Sequence, residues 1–192
     1  MYHVGDVVTV NDTMQASYQY SIQVPMGQKF ASGFNPHFTP KEMLELGVFE
    51  GKYCNDCQNE FPSEWFTNAK ISDSSDPSVN YFDVKSRQSL NIWKEKGWII
   101  GPDPRGWFQW YCRYFMGRRI TEVDKKQTTR WRSFRRHAAQ VRANCDRVTG
   151  PADQSNVKPC CNGLMILSSN QLNNDTNQVI ERRIRTIRQT SI

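Results

Sequence analysis

The spacing of apolar residues predicts two consecutive helices in the second half of the chain. Residues 107–116 (WFQWYCRYFM) are almost uniformly apolar and run up to Gly117, which is a natural helix stop. A helix with apolar side chains on every side belongs in the middle of a core. After it, beginning at Thr121 or Asp124, apolar residues recur at steps of three and four, as on one face of an amphipathic helix. That face consists of Trp131, Phe134, Ala138, Val141 and Cys145.

The first half of the chain predicts a β-hairpin followed by a short helix. Residues 4–10 and 18–24 are rich in β-branched and aromatic residues, and the apolar positions of the second run alternate. The Gly- and Pro-punctuated stretch that follows favours an extended loop. Thr39 then precedes Pro40, and Glu42 comes three residues after Thr39. This order predicts a helix that begins with a capping box.

The remaining patterns are shorter. We expect a short helix from Phe61 to Ala69, a strand over 79–86, a helix capped by Ser86 that ends at Gly97, and a last helix over about 176–189. Together the elements predict a mainly α-helical protein with a small N-terminal β element, an α+β fold. We expect residues 1–172 to form a compact single domain around the central aromatic helix, with residues 173–192 as a basic C-terminal helix or tail.

Positive charge is concentrated in the segment from Arg113 to Arg147. It holds eleven Lys or Arg residues against three acids, a local charge of +8, whereas the whole chain carries +6. Concentrated positive charge beside aromatic residues is typical of proteins that bind nucleic acid. We therefore predict a nucleic-acid-binding protein that uses an Arg-rich amphipathic helix, about 118–142, packed on a Trp-rich core. The predicted contacts are Arg118, Arg119, Arg130, Arg132, Arg135, Arg136, His137 and Arg142.

The same charge has a simpler interpretation, in which acids from the first half of the chain neutralise the arginines within the fold. Residues 1–112 hold nine Lys or Arg residues against thirteen acids. A basic face that is solvated or paired internally needs no nucleic acid. Among the six tryptophans, Trp98 follows Gly97 and precedes a Pro-rich turn, so it is the candidate for an exposed ring on which unpaired bases stack.

Two short patterns are compatible with an enzyme that acts on nucleic acid or nucleotides. Lys52 follows a Gly-containing turn and has a carboxylate nearby, Glu50 or Asp56, so it is a candidate nucleophile for base-excision or lyase chemistry. Asp83 and Lys85 lie two residues apart on the predicted strand, as in metal-dependent nucleases that hold a divalent ion. The chain contains no P-loop, dinucleotide-binding fingerprint or metalloprotease motif, and its three histidines are scattered. The sequence decides neither for nor against an enzyme.

Cys54 and Cys57 form a C-x₂-C pair, which is half of a typical zinc site. A second pair at the usual spacing is missing, and the adjacent Cys160 and Cys161 are a poor substitute. We therefore predict no cofactor. The alternative is a zinc ion held by Cys54 and Cys57 together with distant thiols, or a divalent metal at the carboxylates.

The sequence also bears on location and partners. It has no run of about 20 apolar residues that could span a bilayer, and its first residues do not resemble a signal peptide. We expect an intracellular protein, cytoplasmic or nuclear, with reduced thiols. A third function class is a structural or assembly protein of a nucleoprotein or virion, whose C-terminal helix docks on a protein partner.

Overall fold

The fold is mainly helical with a small N-terminal β element, as predicted. A computed structural model of the chain describes residues 2–81 and 89–145, and for residues 134–145 it describes the helical backbone alone. The strands are β1 (Val7–Val10) and β2 (Tyr18–Ser21), and the helices are α1 (Pro40–Glu45), α2 (Leu90–Glu95), α3 (Trp107–Met116) and α4 (Thr121–Cys145). Short 3₁₀ turns occupy Val48–Gly51, Gln58–Glu60, Ser63–Trp65 and Pro77–Val79.

The predicted hairpin forms, with strands shorter than the patterns over 4–10 and 18–24. β1 and β2 pair antiparallel, in a register that places Val8 opposite Tyr20. Val8 and Tyr20 are buried while Val7 is exposed, so alternate side chains of the hairpin face the core. Local side-chain hydrogen bonds hold the connection between the strands. The Asp12 Oδ1 atom accepts from the main-chain N–H groups of Met14 and Gln15, at 2.6 and 2.8 Å.

The capping box predicted for α1 is confirmed. The Thr39 hydroxyl accepts a hydrogen bond from the Glu42 N–H at 3.2 Å, and the Glu42 carboxylate accepts one from the Thr39 N–H at 2.9 Å. Two of the N–H groups that a helix start leaves unsatisfied are thereby paired. Gly47 ends the segment in the left-handed conformation, where a Cβ atom would lie 2.2 Å from the Val79 carbonyl oxygen.

The aromatic helix α3 lies in the core, as its pattern predicts. All of its side chains except that of Phe115 are buried. Phe34 packs across it, with ring centroids 5.5 Å from Trp110 and 5.0 Å from Trp131 of α4. Aromatic packing therefore joins α3, α4 and the loop after the hairpin.

The start of α4 is fixed by a buried carboxylate. Asp124 accepts hydrogen bonds from the Ile120 N–H and from the Trp110 indole N–H, both at 2.8 Å. Burial raises the pKa of Asp124, although these two hydrogen bonds act in the opposite direction. Trp131 is buried, as the apolar stripe of this helix predicts. The side chains of Phe134, Ala138, Val141 and Cys145 lie outside the described part.

Three of the shorter predictions need correction or lie outside the described residues. The cap of α2 is Ser89, which accepts from the Ile92 N–H at 3.5 Å, and not Ser86. The helix predicted from Phe61 to Ala69 is reduced to the 3₁₀ turn Ser63–Trp65, because the chain turns at Thr67 and Asn68, both weak helix formers. The predicted strand over 79–86 begins in the 3₁₀ turn Pro77–Val79, and most of its residues are outside the described ranges.

The C-terminal helix predicted over about 176–189 and the boundary at residue 173 also lie outside the described residues. Across residues 2–81 and 89–145, every helix is too short or too polar to traverse a lipid bilayer.

Candidate functional site

Arg118, the first of the predicted nucleic-acid contacts, lies in the core. Its guanidinium donates to both carboxylate oxygens of Asp103, at 2.8 and 2.7 Å, and Asp103 also accepts from Arg113 at 3.0 Å. Arg113 in turn donates to both oxygens of Glu60, at 2.5 and 3.0 Å. We call Glu60, Asp103, Arg113 and Arg118 the core ion cluster. All four residues are buried, so Arg118 is not part of an exposed basic surface.

The core ion cluster contains two positive and two negative side chains. Burial by itself lowers the pKa of a guanidinium, but the hydrogen bonds and attraction from Glu60 and Asp103 outweigh it and raise the pKa of Arg113. The pKa of Arg118 is raised for the same reason by Asp103. Both arginines therefore stay charged inside the protein. Sequence reasoning missed this cluster because its carboxylates come from distant turns with no shared motif.

Arg119 is anchored to main-chain oxygens. It donates to the carbonyl oxygens of Tyr114 at 2.6 Å and Gln28 at 2.8 Å, and its guanidinium carbon lies 3.9 Å from the centroid of the Tyr114 ring. These bonds tie the loop after β2 to the end of α3. Burial lowers the pKa of Arg119 from its ordinary value. Carbonyl acceptors carry no net charge, so the bonds fix this arginine without neutralising it.

Arg130 and Arg132 of α4 are held in the same way. Arg130 donates to the main-chain oxygen of Trp98 at 2.6 Å, and Arg132 donates to that of Ser32 at 2.5 Å. Arg132 is exposed, and Arg130 is half-buried. Arg135, Arg136, His137 and Arg142 belong to the same helix, but their side chains lie outside the described part.

An exposed aromatic ring lies beside Arg130. Trp98 is 36% exposed, and the Arg130 guanidinium carbon lies 5.5 Å from its ring centroid. The Lys96 ammonium group lies 4.8 Å from the same centroid. We call Lys96, Trp98 and Arg130 the Trp98 surface. The ring that the sequence singled out for stacking is therefore exposed and has two cations next to it.

Two of the four candidate reactive residues, Lys52 and Asp56, line one cavity of about 470 Å³. Asp56 accepts a hydrogen bond from Arg105 at 2.9 Å and another from the Thr13 hydroxyl. Burial raises the pKa of Asp56, but these two hydrogen bonds and the attraction of Arg105 outweigh it, so its pKa is lowered overall. Asp56 is thus an ionised carboxylate at neutral pH. Asp83 and Lys85 lie outside the described residues.

Both cysteines of the C-x₂-C pair are buried, and Cys54 lines this cavity. The main chain turns between its members, with the Cys57 N–H donating to the Cys54 carbonyl oxygen at 3.4 Å. A hydrogen bond with Cys57, followed by burial, raises the pKa of the Cys54 thiol, and burial raises that of Cys112. In the metal-free protein, the raised pKa values of Cys54 and Cys112 favour the neutral thiol over the thiolate. Within the described residues, no three Cys, His, Asp or Glu side chains are grouped to hold a metal ion.

No known protein family, curated protein or solved structure matches this chain.

Proposed function

We propose that the protein binds nucleic acid, with unpaired bases stacking at the Trp98 surface and phosphates held by the basic residues around it. The observation that carries this proposal is the exposed Trp98 ring with Lys96 and Arg130 next to it. Aromatic side chains beside cations are the common means of binding single strands, because every base has a face that can stack and every nucleotide brings a phosphate.

The anchoring of Arg130 supports this proposal. Its hydrogen bond to the Trp98 carbonyl oxygen fixes the guanidinium next to the ring, and a carbonyl does not cancel its charge. Lys126 is exposed and precedes Arg130 by four residues in α4, so the two lie on the same helix face. Lys125 and Arg132 are exposed on the same helix. A strand that stacks on Trp98 therefore has cations along α4 for its next phosphates.

The test is binding of labelled single- and double-stranded DNA and RNA, followed by fluorescence anisotropy at about 50 mM salt and at rising salt concentrations, where affinity for phosphates falls. We expect single strands to bind more tightly than duplexes, because only unpaired bases can stack on an exposed ring. Absence of binding to all four probes at about 50 mM salt would overturn the proposal.

Two variants separate stacking from charge. Trp98→Ala removes the ring but keeps the carbonyl that anchors Arg130, and it should weaken single-strand binding roughly 5- to 150-fold, the loss of one stacked base. Lys96→Ala should reduce the salt dependence by about one phosphate contact, a slope change of about 0.7. Lys70→Ala is the matched control for Lys96→Ala, because Lys70 is an exposed lysine on a different segment of the chain, and it should bind like the unaltered protein.

The basic helix is tested by replacing Arg132, Arg135 and Arg136 together with Ala. We expect this triple variant to lose affinity by orders of magnitude at low salt and to keep its fold, since the loss is that of phosphate contacts. Unchanged binding by the folded triple variant would remove Arg132, Arg135 and Arg136 from the interface.

A second candidate function is that of an enzyme acting on nucleic acid or a nucleotide. The presence of both Lys52 and Asp56 on the wall of one cavity favours this function. Lys52 is the candidate nucleophile, and the ionised Asp56 is suited to stabilise a positive charge that develops on a substrate. Examination of the same binding reactions for cleaved or base-free products tests this function. Products that persist in Lys52→Ala would exclude Lys52 as the nucleophile.

A further inference from the structure

The cavity beside Lys52 has the size of a small-molecule site. Its volume of about 470 Å³ lies within the range of roughly 300–1,000 Å³ that is typical of ligand pockets. It lies between the segment from Phe49 to Asp56 and the start of α2, which contributes Leu90 and Trp93 to its wall. The residues that line the cavity do not include Lys96, Trp98 or Arg130, so the cavity is separate from the Trp98 surface.

One wall of the cavity is aromatic. The rings of Phe49 and Tyr53 are stacked with centroids 5.0 Å apart, and Trp93 meets Phe49 edge to face at 5.5 Å. Phe49 and Trp93 are only half-buried, so both keep ring surface open towards the cavity. A wall of this kind favours a flat aromatic ligand.

The backbone of this wall is in an unusual conformation. Phe49 and Cys54 both have positive φ angles, of 53° and 59°. Residues with a Cβ atom adopt this left-handed conformation at an energetic cost, and such residues cluster at binding and catalytic sites. Here the conformation places both residues on the cavity wall.

The charges that line the cavity balance one another. Lys52 and Arg105 are positive, and Asp56 and Asp73 are negative. Arg105 is already engaged by Asp56, and its Nη2 atom also lies 3.3 Å from the Asp12 carboxylate. A multiply charged anion would therefore meet opposing carboxylates. Lys52 supplies hydrogen-bond donors and Asp73 supplies acceptors, which suits a neutral ligand with both acceptors and donors on its edge.

We infer that this cavity binds a nucleobase, either that of a free nucleoside or that of an unpaired nucleotide in a strand. The flat base lies against Phe49 and Trp93, and its edge bonds to Lys52 and Asp73. Purines and pyrimidines combine a flat ring with donors and acceptors on one edge, as this lining requires. The inference stands independently of strand binding at the Trp98 surface, because free nucleosides can test it directly.

The experiment is calorimetric titration of the full chain with adenosine, guanosine, cytidine and uridine. We expect at least one nucleoside to bind, with a dissociation constant of about 0.1 mM, as for ligands of this size. Absence of heat from all four at millimolar concentrations overturns the inference. Binding of inorganic phosphate at the same site, with no binding of nucleosides, overturns it as well.

Matched variants locate the site. Leu90→Trp fills the cavity and should weaken binding at least tenfold, whereas Ile92→Trp, on the exposed side of the same helix, should not. Lys52→Ala and Asp73→Asn each remove one edge contact at an exposed position and should weaken binding several-fold, with Lys70→Ala as control. These two changes keep the inference testable if Leu90→Trp does not fold. Unaltered binding in both would place the nucleoside elsewhere and overturn it.

Competition identifies the source of the base. If a single-stranded oligonucleotide displaces the nucleoside, and does so in the Trp98→Ala variant as well, the result supports a base that is part of a strand. Nucleoside binding that the oligonucleotide leaves unchanged supports a free nucleoside as the ligand.

Discussion

Removal of the Asp103 carboxylate should be among the most damaging single changes in this protein. Asp103 accepts three hydrogen bonds at 2.7–3.0 Å, one from Arg113 and two from Arg118. All three residues are buried. In Asp103→Ala, the Arg118 guanidinium loses both of its charged bonds, and Arg113 keeps only those to Glu60 and to uncharged oxygens.

The magnitude follows from the charges of the core ion cluster. The intact cluster is neutral, and the variant leaves one uncompensated positive charge in the core. Breaking a buried ion pair by removing one partner costs about 3–5 kcal/mol. A domain of ordinary stability has about 5–15 kcal/mol to lose, so Asp103→Ala should remove roughly a fifth or more of the free energy of unfolding.

The assay is urea unfolding followed by circular dichroism, with the midpoint and the slope determined for each variant. We expect a lower midpoint for Asp103→Ala at a nearly constant slope. Asp73→Ala, which removes an exposed carboxylate, is the control and should change the free energy of unfolding by no more than about 0.5 kcal/mol. A loss below about 1 kcal/mol at Asp103 would show that water reaches the core ion cluster.

A double variant separates charge imbalance from lost packing. Arg118→Met in the background of Asp103→Ala removes the uncompensated charge and leaves Arg113 paired with Glu60. The double variant should therefore be more stable than Asp103→Ala alone, since replacing buried ion pairs with apolar side chains is often neutral or stabilising. If the second change adds a further loss, the damage comes from packing and the electrostatic explanation is wrong.

Two further predictions concern backbone geometry and pH. Gly117→Ala would place a Cβ atom 2.0 Å from the main-chain oxygen of Val24, whereas the Cβ atom of Gly97→Ala, also at a positive φ, would meet no described atom within 4 Å. Gly117→Ala should therefore lower the free energy of urea unfolding by at least about 2 kcal/mol more than Gly97→Ala does. Equal losses in the two variants would contradict this prediction. Asp56 has a lowered pKa in the folded protein, so its stabilising contribution is full above its unfolded pKa of about 3.9 and is lost as pH falls below it. In Asp56→Asn, the free energy of unfolding should therefore fall less steeply between about pH 5 and pH 3 than in the unaltered protein, by a small amount because Asp56 is partly exposed. The same pH dependence in both proteins would show that Arg105 does not stabilise the carboxylate.

The elements that sequence reasoning predicts well are those whose causes are local. The capping box of α1 depends on Thr39 and Glu42, three residues apart, and the structure forms it as predicted. Helix α3 depends on an almost uniformly apolar run that stops at Gly117, and the structure forms it over Trp107–Met116 with Gly117 as its C-cap. In both cases the signals that set where the helix begins or ends lie within a few residues of one another in the sequence.

The candidate site depends on contacts that no sequence window contains. The cavity is closed by residues about forty positions apart along the chain, such as Lys52 and Trp93, and only the tertiary fold brings them together. The choice of Ser89 over Ser86 as the cap of α2 is similar, since either serine satisfies the local pattern. Local sequence patterns could therefore identify Lys52, Asp56 and Trp98 as candidates but not their surroundings.

Charge counting along the sequence does not show which arginines are neutralised inside the fold. The two arginines of the core ion cluster are neutralised by carboxylates from the first half of the chain, so for them the simpler interpretation holds. Arg119, Arg130 and Arg132 bind main-chain oxygens instead, and a carbonyl positions a guanidinium without cancelling its charge. The charge that an anionic partner meets thus depends on the acceptor each arginine has found, and not on how many arginines the segment contains. By that criterion, the proposed binding of nucleic acid depends most on Arg130, which keeps its charge and is anchored beside Trp98.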